Sequence, residues 1–204
     1  FAVPGSSLQG DAARDARRGV FGLAAAANLP RHVDWPAEAA ASPWPGRLAA
    51  TELVTTPPLT IPRLARLVVA YPEGADDLAE LARALRDSLG GIAGGVARAV
   101  AVPGLDARAA RAREGDWDLA LVRHDWGAVD RGQAAAELSF TLGLAAPSGA
   151  DALRGRLKRW ASHIVSDALA LPILHYRRPV FHRAGWVLQS SAAGVLDLPS
   201  SWRD

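Results

Sequence analysis

The sequence predicts an α/β fold in which a largely parallel sheet is flanked by helices. This prediction depends on three short apolar runs, at Leu67–Tyr71, Val96–Val102 and Trp117–Val122. A continuous apolar run bounded by turn residues is typical of a strand that is buried on both faces of a parallel sheet. Helical patterns separate the runs, and strands that alternate with helices form parallel sheets with right-handed crossovers.

Two helices are expected to connect these strands. Asp76 and Asp77 begin the first, because carboxylates stabilise the positive end of a helix, and Gly90-Gly91 is expected to end it. The second is short and covers Asp106–Glu114, after a turn at Pro103-Gly104. Together with the strands, these helices make a βαβαβ unit.

The segments around this unit are predicted to be helical, irregular or extended. A helix is expected over Asp11–Asn28, and the proline-rich residues 30–64 are expected to be irregular, with a short extended piece at Leu53–Thr55. Two helices should follow the third strand, Gln133–Leu144 and one that runs from a capping box at Ser148 and Asp151 to about Leu169. The extended segments predicted after them are Leu171–Tyr176, Pro179–His182 and Trp186–Gln189.

Composition excludes several classes of protein. The chain has 204 residues, of which 50% are hydrophobic and 22% are charged, and this is typical of a globular domain. It has no cysteine, so it has neither disulfides nor thiol chemistry. No apolar run reaches the roughly 18 residues that a membrane-spanning helix needs. The net charge is only +2 and the arginines alternate with acids, so we expect no nucleic-acid partner.

The motifs of common catalytic, phosphate and metal sites are not found. The loop Tyr71–Asp76 after the first strand is acidic and would repel a phosphate, and the glycine-rich stretch Gly90–Gly95 follows a helix instead of a strand. The five histidines show no zinc motif, and there is no Gly-x-Ser-x-Gly sequence. Asp116 and Asp118 are interpreted as a turn residue and the start of a strand. We therefore expect no metal, no cofactor and no enzyme activity.

Candidate binding residues follow the carboxyl ends of the predicted strands, where open parallel sheets bind their ligands. His124, Asp125 and Asp130 come after the third strand, and Trp126 is the candidate for an exposed aromatic wall. Glu73 lies in the loop after the first strand. The predicted ligand-binding set is therefore His124, Asp125, Trp126, Asp130 and Glu73.

Several segments, in this order, resemble the second lobe of the family 5 extracellular solute-binding proteins, which include peptide- and nickel-binding proteins of ABC importers. Gly115-Asp116-Trp117-Asp118-Leu119-Ala120-Leu121 resembles that family's G-(D/N)-(F/W)-D-(L/V)-A segment. Residues 67–102 resemble its strand, helix and strand, and Arg17–Ala27 resembles the helix that opens the lobe. Ala168–Tyr176 resembles its d-A-P-x-I-P-L-y-x segment. The resemblance covers most of residues 11–202.

The resemblance implies that residues 1–204 form a single periplasmic-binding-protein-like lobe, which closes over a solute against a first lobe that is absent from this chain. Peptide binders of the family hold the solute's amino terminus with an aspartate shortly after the third strand, and this role would belong to Asp125 or Asp130. The family's tyrosine beside that aspartate is missing here. The implied partners are a small peptide-like solute and the membrane permease of an ABC importer.

The resemblance also implies a periplasmic or extracellular location, with a lipid anchor as one option and any export signal upstream of this chain. Two alternatives stay open from the residues alone. One is the ligand-sensing domain of a transcription regulator that has a similar solute-binding module, and the other is a small α/β enzyme. A signal peptide upstream would favour transport, and a winged helix upstream would favour regulation.

Overall fold

The structure, a computed structural model, has a central sheet between two layers of helices. It describes residues 1–5, 8, 13–26, 29–31, 33, 37–40, 43, 66–92, 96–112, 115–125, 131–145, 153–176, 186–190 and 196–203. In chain order the elements are β1 (Ala2–Pro4), α1 (Arg14–Ala26), a 3-10 helix (Leu29–Arg31), β2 (Ala37–Ala39), β3 (Arg66–Pro72), α2 (Asp76–Ile92), β4 (Val96–Val102), α3 (Ala107–Ala112), β5 (Leu119–Leu121), α4 (Arg131–Leu142), α5 (Leu153–Ser166), β6 (Leu174–Tyr176), β7 (Trp186–Ser190) and β8 (Leu196–Arg203).

The central sheet has its strands in the order β1-β5-β3-β4. β3 is parallel to β4 along its whole length, from the pair Arg66 and Val96 to the pair Pro72 and Val102, and it is also parallel to β5. β1 lies at the edge and is antiparallel to β5. The predicted fold class is therefore confirmed: the three strands of the βαβαβ unit form a parallel sheet, and helices flank it.

The strand order creates a crevice between β3 and β5. From β3 the chain passes through α2 to β4 on one side, and it then crosses back through α3 to β5 on the other side. The helix that follows β3 packs on one face of the sheet, and the helix that follows β5 packs on the opposite face. Two neighbouring strands whose outgoing loops diverge in this way form a topological switch point. We call the side of the sheet where β3, β4 and β5 end the carboxyl edge.

Separate hydrophobic clusters cover the two faces of the sheet, because successive side chains of a strand point to opposite faces. The cluster on the face of α1 and α2 includes Phe21, Leu67, Val69, Leu85, Leu119 and Leu121. The cluster on the face of α3, α4 and α5 includes Val68, Ala70, Ala120, Leu138, Leu142 and Ile164. Burial on both faces explains the apolar runs from which β3 and β5 were predicted. β4 lies at the edge of the sheet, and its described side chains, at residues 97–102, are half-buried or exposed.

The end predicted for α2 is wrong, because the helix continues through Gly90-Gly91 to Ile92. Each glycine in a helix costs roughly 1 kcal/mol relative to alanine. The buried leucines Leu78, Leu81 and Leu85 hold the preceding turns against the sheet. Tertiary packing of an apolar face contributes more to helix stability than propensity does, so the glycines do not end the helix.

The other predicted helices are confirmed, although α4 begins two residues before the predicted Gln133. α1 begins at Arg14 and α4 at Arg131, and α5 covers Leu153–Ser166. Asp106 precedes α3 instead of lying within it, and its carboxylate accepts a hydrogen bond of 2.6 Å from the N–H of Ala109. This is the N-cap arrangement, which satisfies a backbone donor that the helix itself leaves open.

Three of the strands in the described part of the chain were not predicted from the sequence. β1, β2 and β8 were not expected, whereas β6 lies within the predicted segment Leu171–Tyr176 and β7 coincides with Trp186–Gln189. The predictions at Leu53–Thr55, at Ser148 with Asp151, and at Pro179–His182 lie outside the described residues. In the described part of the chain, no helix has the length and apolar character to cross a membrane.

Candidate functional site

The carboxyl edge brings the loops after the three parallel strands together. Val69 of β3 pairs with Leu119 of β5, so residues 123–125 leave the sheet at the level of Glu73. The backbone N–H of Glu73 donates a hydrogen bond of 3.1 Å to the carbonyl of Val102, which ties the loop after β3 to the end of β4. The side chain of Glu73 is exposed. The loops after separate strands therefore meet beside the switch point.

An ion pair spans the switch point. Arg123, just after β5, places Nη1 at 3.1 Å from Oδ2 of Asp77, in the first turn of α2. The hydroxyl of Tyr176, at the end of β6, donates a hydrogen bond of 2.5 Å to the same oxygen. Burial would raise the pKa of Asp77, but the hydrogen bonds from Tyr176 and Arg123 outweigh it and the pKa is lowered. Asp77 is therefore ionised at neutral pH, and the network joins β5, α2 and β6.

His124 lies beside this network and faces α4. Its Nδ1 is 2.8 Å from Oγ1 of Thr141, and the residue is half-buried. Burial lowers the pKa of His124, against the opposing influence of the carboxylates of Glu137 and Asp125. Because the cationic form is disfavoured, His124 is a neutral imidazole at pH 7. The imidazole of His124 therefore adds no charge to this part of the site.

An open cavity of about 590 Å³ lies between the end of β5 and α4. Its lining comprises residues 123–125 on one side and Ala136, Glu137, Phe140 and Thr141 on the other. Asp125 is 72% exposed and its Oδ2 is 3.6 Å from Nε of Arg123. The carboxylate of Glu137 accepts a hydrogen bond of 3.0 Å from the amide of Gln133. The cavity thus combines two carboxylates, one guanidinium, a neutral imidazole and an aromatic ring.

Phe140 stands out because its side chain is not in the core. It is 71% exposed, and the guanidinium carbon of Arg108 lies 4.5 Å from the centre of its ring. The buried positions of α4 include Ala135, Leu138 and Leu142, which follow helical spacing. Phe140 falls outside that buried stripe, so its exposure could have been found from the sequence pattern.

The structure brings together some of the predicted site residues and not others. His124 and Asp125 line the cavity together. Glu73 lies in the neighbouring loop and is not among the described residues that line it. Trp126 and Asp130 lie outside the described residues. Sequence reasoning missed the contribution of α4. It also missed Asp77, the partner of Arg123, and Tyr176, which donates to Asp77.

The carboxylates at the start of β5 have structural roles. Oδ2 of Asp118 accepts a hydrogen bond of 2.8 Å from the N–H of Val68, and it thereby supports the pairing of β3 with β5. Asp116 is 80% exposed and forms an ion pair with Arg66. Both lie at the opposite end of the sheet from the carboxyl edge, as their interpretation as turn and strand residues requires. Nor do the described residues contain a group of three or more side chains that could hold a metal ion.

No protein-family model matches the chain, and no curated protein sequence matches it either. Among solved structures, the chain is similar to the ABC transporter substrate-binding protein CtaP from Listeria monocytogenes, with a TM-score of 0.58 and 15% sequence identity. The match covers 85% of this chain but only 42% of that chain. At this identity the match shows the fold alone: the chain has the α/β fold of part of a substrate-binding protein, with a mostly parallel sheet flanked by helices.

Proposed function

We propose that this chain is one lobe of a two-lobed solute-binding protein of an ABC importer, and that it is a binding module without catalytic activity. The observation that carries this proposal is the similarity to CtaP over 85% of the chain. The match takes 42% of that protein, which suits one lobe of two. Such a protein works in the periplasm or at the cell surface, and it delivers its solute to a membrane permease.

The cavity at the carboxyl edge is the proposed binding surface. It lies beside the switch point of the sheet, the place where open α/β sheets bind their ligands. His124 and Asp125 form one wall and Glu137 the other. Trp126, Asp130 and Glu73 are assigned to the same edge by their positions after β5 and β3. A second lobe would close over the solute, and binding would stabilise the closed state.

A peptide-like solute of the kind bound by family 5 proteins suits the chemistry of this cavity. A peptide presents an ammonium group, a carboxylate and backbone amides. Asp125 and Glu137 can accept hydrogen bonds from the ammonium and amide groups, and Arg123 can donate to oxygens. Arg123 is already oriented by Asp77, at 3.1 Å, which reduces the entropy lost on binding.

A thermal-shift screen of the full-length protein tests the proposal. The ligand classes are di- to pentapeptides, nickel chelates and oligosaccharides. A ligand that binds only the native state at 100 times its Kd stabilises that state by about 2.7 kcal/mol, which raises the melting temperature by several degrees. We expect this rise with peptides. Cooperative melting with no shift for any class would contradict a solute-binding role of this kind.

Variants of the cavity then test the site separately from the function. Asp125→Asn and Glu137→Gln each remove a charged acceptor, and we expect each to weaken binding of the best peptide by about tenfold. Asp87→Asn is the matched control, because Asp87 is an exposed acid on α2, away from the cavity. If peptide binding is real but neither cavity variant changes the Kd, the site assignment is wrong and the function stands.

A further inference from the structure

The outer end of α4 carries an aromatic ring that is held in place but not buried. Phe140 is 71% exposed, which sets it apart from the other large hydrophobic side chains in the described part of the chain. The guanidinium of Arg108, from α3, lies over one face of the ring at 4.5 Å. Since Arg108 occupies one face, the exposure of the ring comes mainly from its other face and its edge. Phe140 is also part of the lining of the cavity at the carboxyl edge.

The surrounding backbone fixes the position of this ring. Ser139 and Leu138, which precede Phe140, are buried, and so is Leu142, which follows it. Moving the ring inward would therefore require α4 to rotate and to expose these core residues. The exposure of the ring therefore follows from the position of Phe140 on α4, outside the buried stripe of that helix.

The chain also makes room for the guanidinium. Gly143, just after α4, has a φ of +64°, and a Cβ atom there would lie 3.0 Å from Cγ of Arg108. The absence of a side chain at Gly143 lets the stem of Arg108 pass close to the end of α4. The glycine at the end of one helix thus allows an arginine of another helix to reach Phe140.

Neutral side chains make up part of the cavity lining that includes Phe140. His124 and Thr141 are hydrogen-bonded to each other at 2.8 Å, and Ala136 contributes a methyl group. Asp125 and Glu137 belong to the same lining, and Glu137 lies about one helical turn before Phe140 on α4. A cation on one face of an aromatic ring is attracted by the ring quadrupole, and the opposite face remains available for an offset stack with a second ring.

We propose that Phe140, held by Arg108, is a stacking platform that makes this protein select solutes with an aromatic side chain. This inference rests on the proposed solute-binding function and names the class of solute within it. The solute's ring would stack on the open face of Phe140 and exclude water between Phe140 and Thr141. Its polar groups would then reach Asp125 and Glu137 in the same cavity. Arg108 and Phe140 are, on this account, specificity-determining residues.

Isothermal titration with four tripeptides tests the platform. The probes are Ala-Ala-Ala, Phe-Ala-Ala, Ala-Phe-Ala and Ala-Ala-Phe. We expect at least one phenylalanine peptide to bind the wild-type protein about tenfold more tightly than Ala-Ala-Ala, from ring stacking together with buried apolar area. In Phe140→Ala, the phenylalanine peptide should bind no more tightly than Ala-Ala-Ala. In Phe140→Trp, the preference for the phenylalanine peptide should remain.

The controls separate failure of the platform from failure of the proposed function. Arg83→Ala truncates an exposed side chain on α2, on the other face of the sheet, and it should keep the preference. If the four peptides bind the wild type equally, or if the preference survives in a Phe140→Ala protein with an unchanged melting temperature, the platform is refuted and peptide binding stands. If none of the four binds the wild-type protein, both the peptide assignment and the platform are refuted.

Discussion

Asp116 and Asp118 are two residues apart, yet their surroundings differ. Asp118 uses its carboxylate to accept from the N–H of Val68 at 2.8 Å, and its own N–H donates to the carbonyl of Val68 at 2.9 Å. One residue of β3 therefore has both backbone groups satisfied by Asp118. Asp116 contacts only the exposed guanidinium of Arg66 among the ion pairs of the described residues.

The first prediction compares these two acids. Asp118→Ala should lower the free energy of unfolding by about 1–3 kcal/mol, because the N–H of Val68 would lose its acceptor in a partly buried place. Asp116→Ala, the matched control, should change it by less than about 0.5 kcal/mol, because exposed ion pairs contribute little. Urea denaturation measures both values. Equal losses in the two variants would contradict the structural role of Asp118.

The second prediction concerns the pH dependence that His124 causes. Its pKa in the folded protein is lowered by burial from the usual 6.5, while the unfolded chain keeps the usual value. Below pH 6.5 the unfolded state therefore binds more protons than the folded state, and the free energy of unfolding falls as the pH decreases. Urea titrations at pH 8 and pH 5.5 should show a smaller difference for His124→Asn than for the wild type. If the wild type and His124→Asn show the same difference between the two pH values, folding does not lower the pKa of His124.

At the residue scale, the sequence could predict positions that follow a strand directly. His124 and Asp125 were found because the third apolar run ends just before them and the end of a parallel strand defines one edge of the sheet. Glu137 and Phe140 were not found, because their distance from β5 depends on how the chain returns through α4. No local pattern in the sequence encodes that return path.

At the scale of elements, the network around Asp77 joins parts of the chain that are far apart. Tyr176 belongs to β6, which pairs with β2 in a sheet of its own, and Arg123 follows β5 of the central sheet. Both contact the first turn of α2 through one carboxylate. The small β2–β6 sheet is therefore attached to the carboxyl edge by polar contacts.

The third prediction tests this attachment. Tyr176→Phe removes the hydroxyl and should lower the free energy of unfolding by about 1 kcal/mol, because a charged acceptor loses one donor in a partly exposed place. Tyr71→Phe is the matched control, since Tyr71 is also half-buried and the described residues offer its hydroxyl no hydrogen bond. Denaturant melts measure the two changes. If the two variants lose equal stability, the hydrogen bond to Asp77 contributes nothing.

The strands were predicted successfully where the sequence has a long apolar run. β3 and β4 have seven residues each and read as apolar runs, so their bounds follow almost directly from the sequence. β1 and β2, which were not predicted, have only three residues each, which is too short for a period-two pattern to be recognised. The prediction that Gly90-Gly91 ends α2 failed, because the packing of this helix on the sheet contributes more to its stability than the low helix propensity of glycine removes.

At the scale of the whole molecule, one sheet separates two independent clusters of core residues. Val20 of α1 lies in the cluster on one face, and Ile164 of α5 lies in the cluster on the other face. Both side chains are almost completely buried. The layered fold was predictable from the alternation of strands and helices, but the strand order and the antiparallel edge strand were not, because they depend on pairing between distant segments.

The fourth prediction follows from this separation. Val20→Ala should cost about 1–2 kcal/mol and Ile164→Val about 0.5–1.5 kcal/mol, from lost apolar burial and the small cavities that remain. Because the two residues share no partners, their effects in the double variant should add to within about 0.5 kcal/mol. A urea-based double-mutant cycle gives the coupling. A larger coupling would mean that the sheet transmits packing changes from one face to the other.

The edge strand β1 has a consequence for how the chain folds. Ala2 pairs with Leu121 of β5, and it also exchanges two backbone hydrogen bonds of 2.8 Å with Leu171, so three distant parts of the chain meet at one residue. Contacts between segments so far apart form slowly, because the closure entropy of long loops must be overcome first. Until β1 docks, β5 presents an open row of N–H and C=O groups, and such edges pair with other chains. Refolding should therefore lose yield as the protein concentration rises, through association at β5.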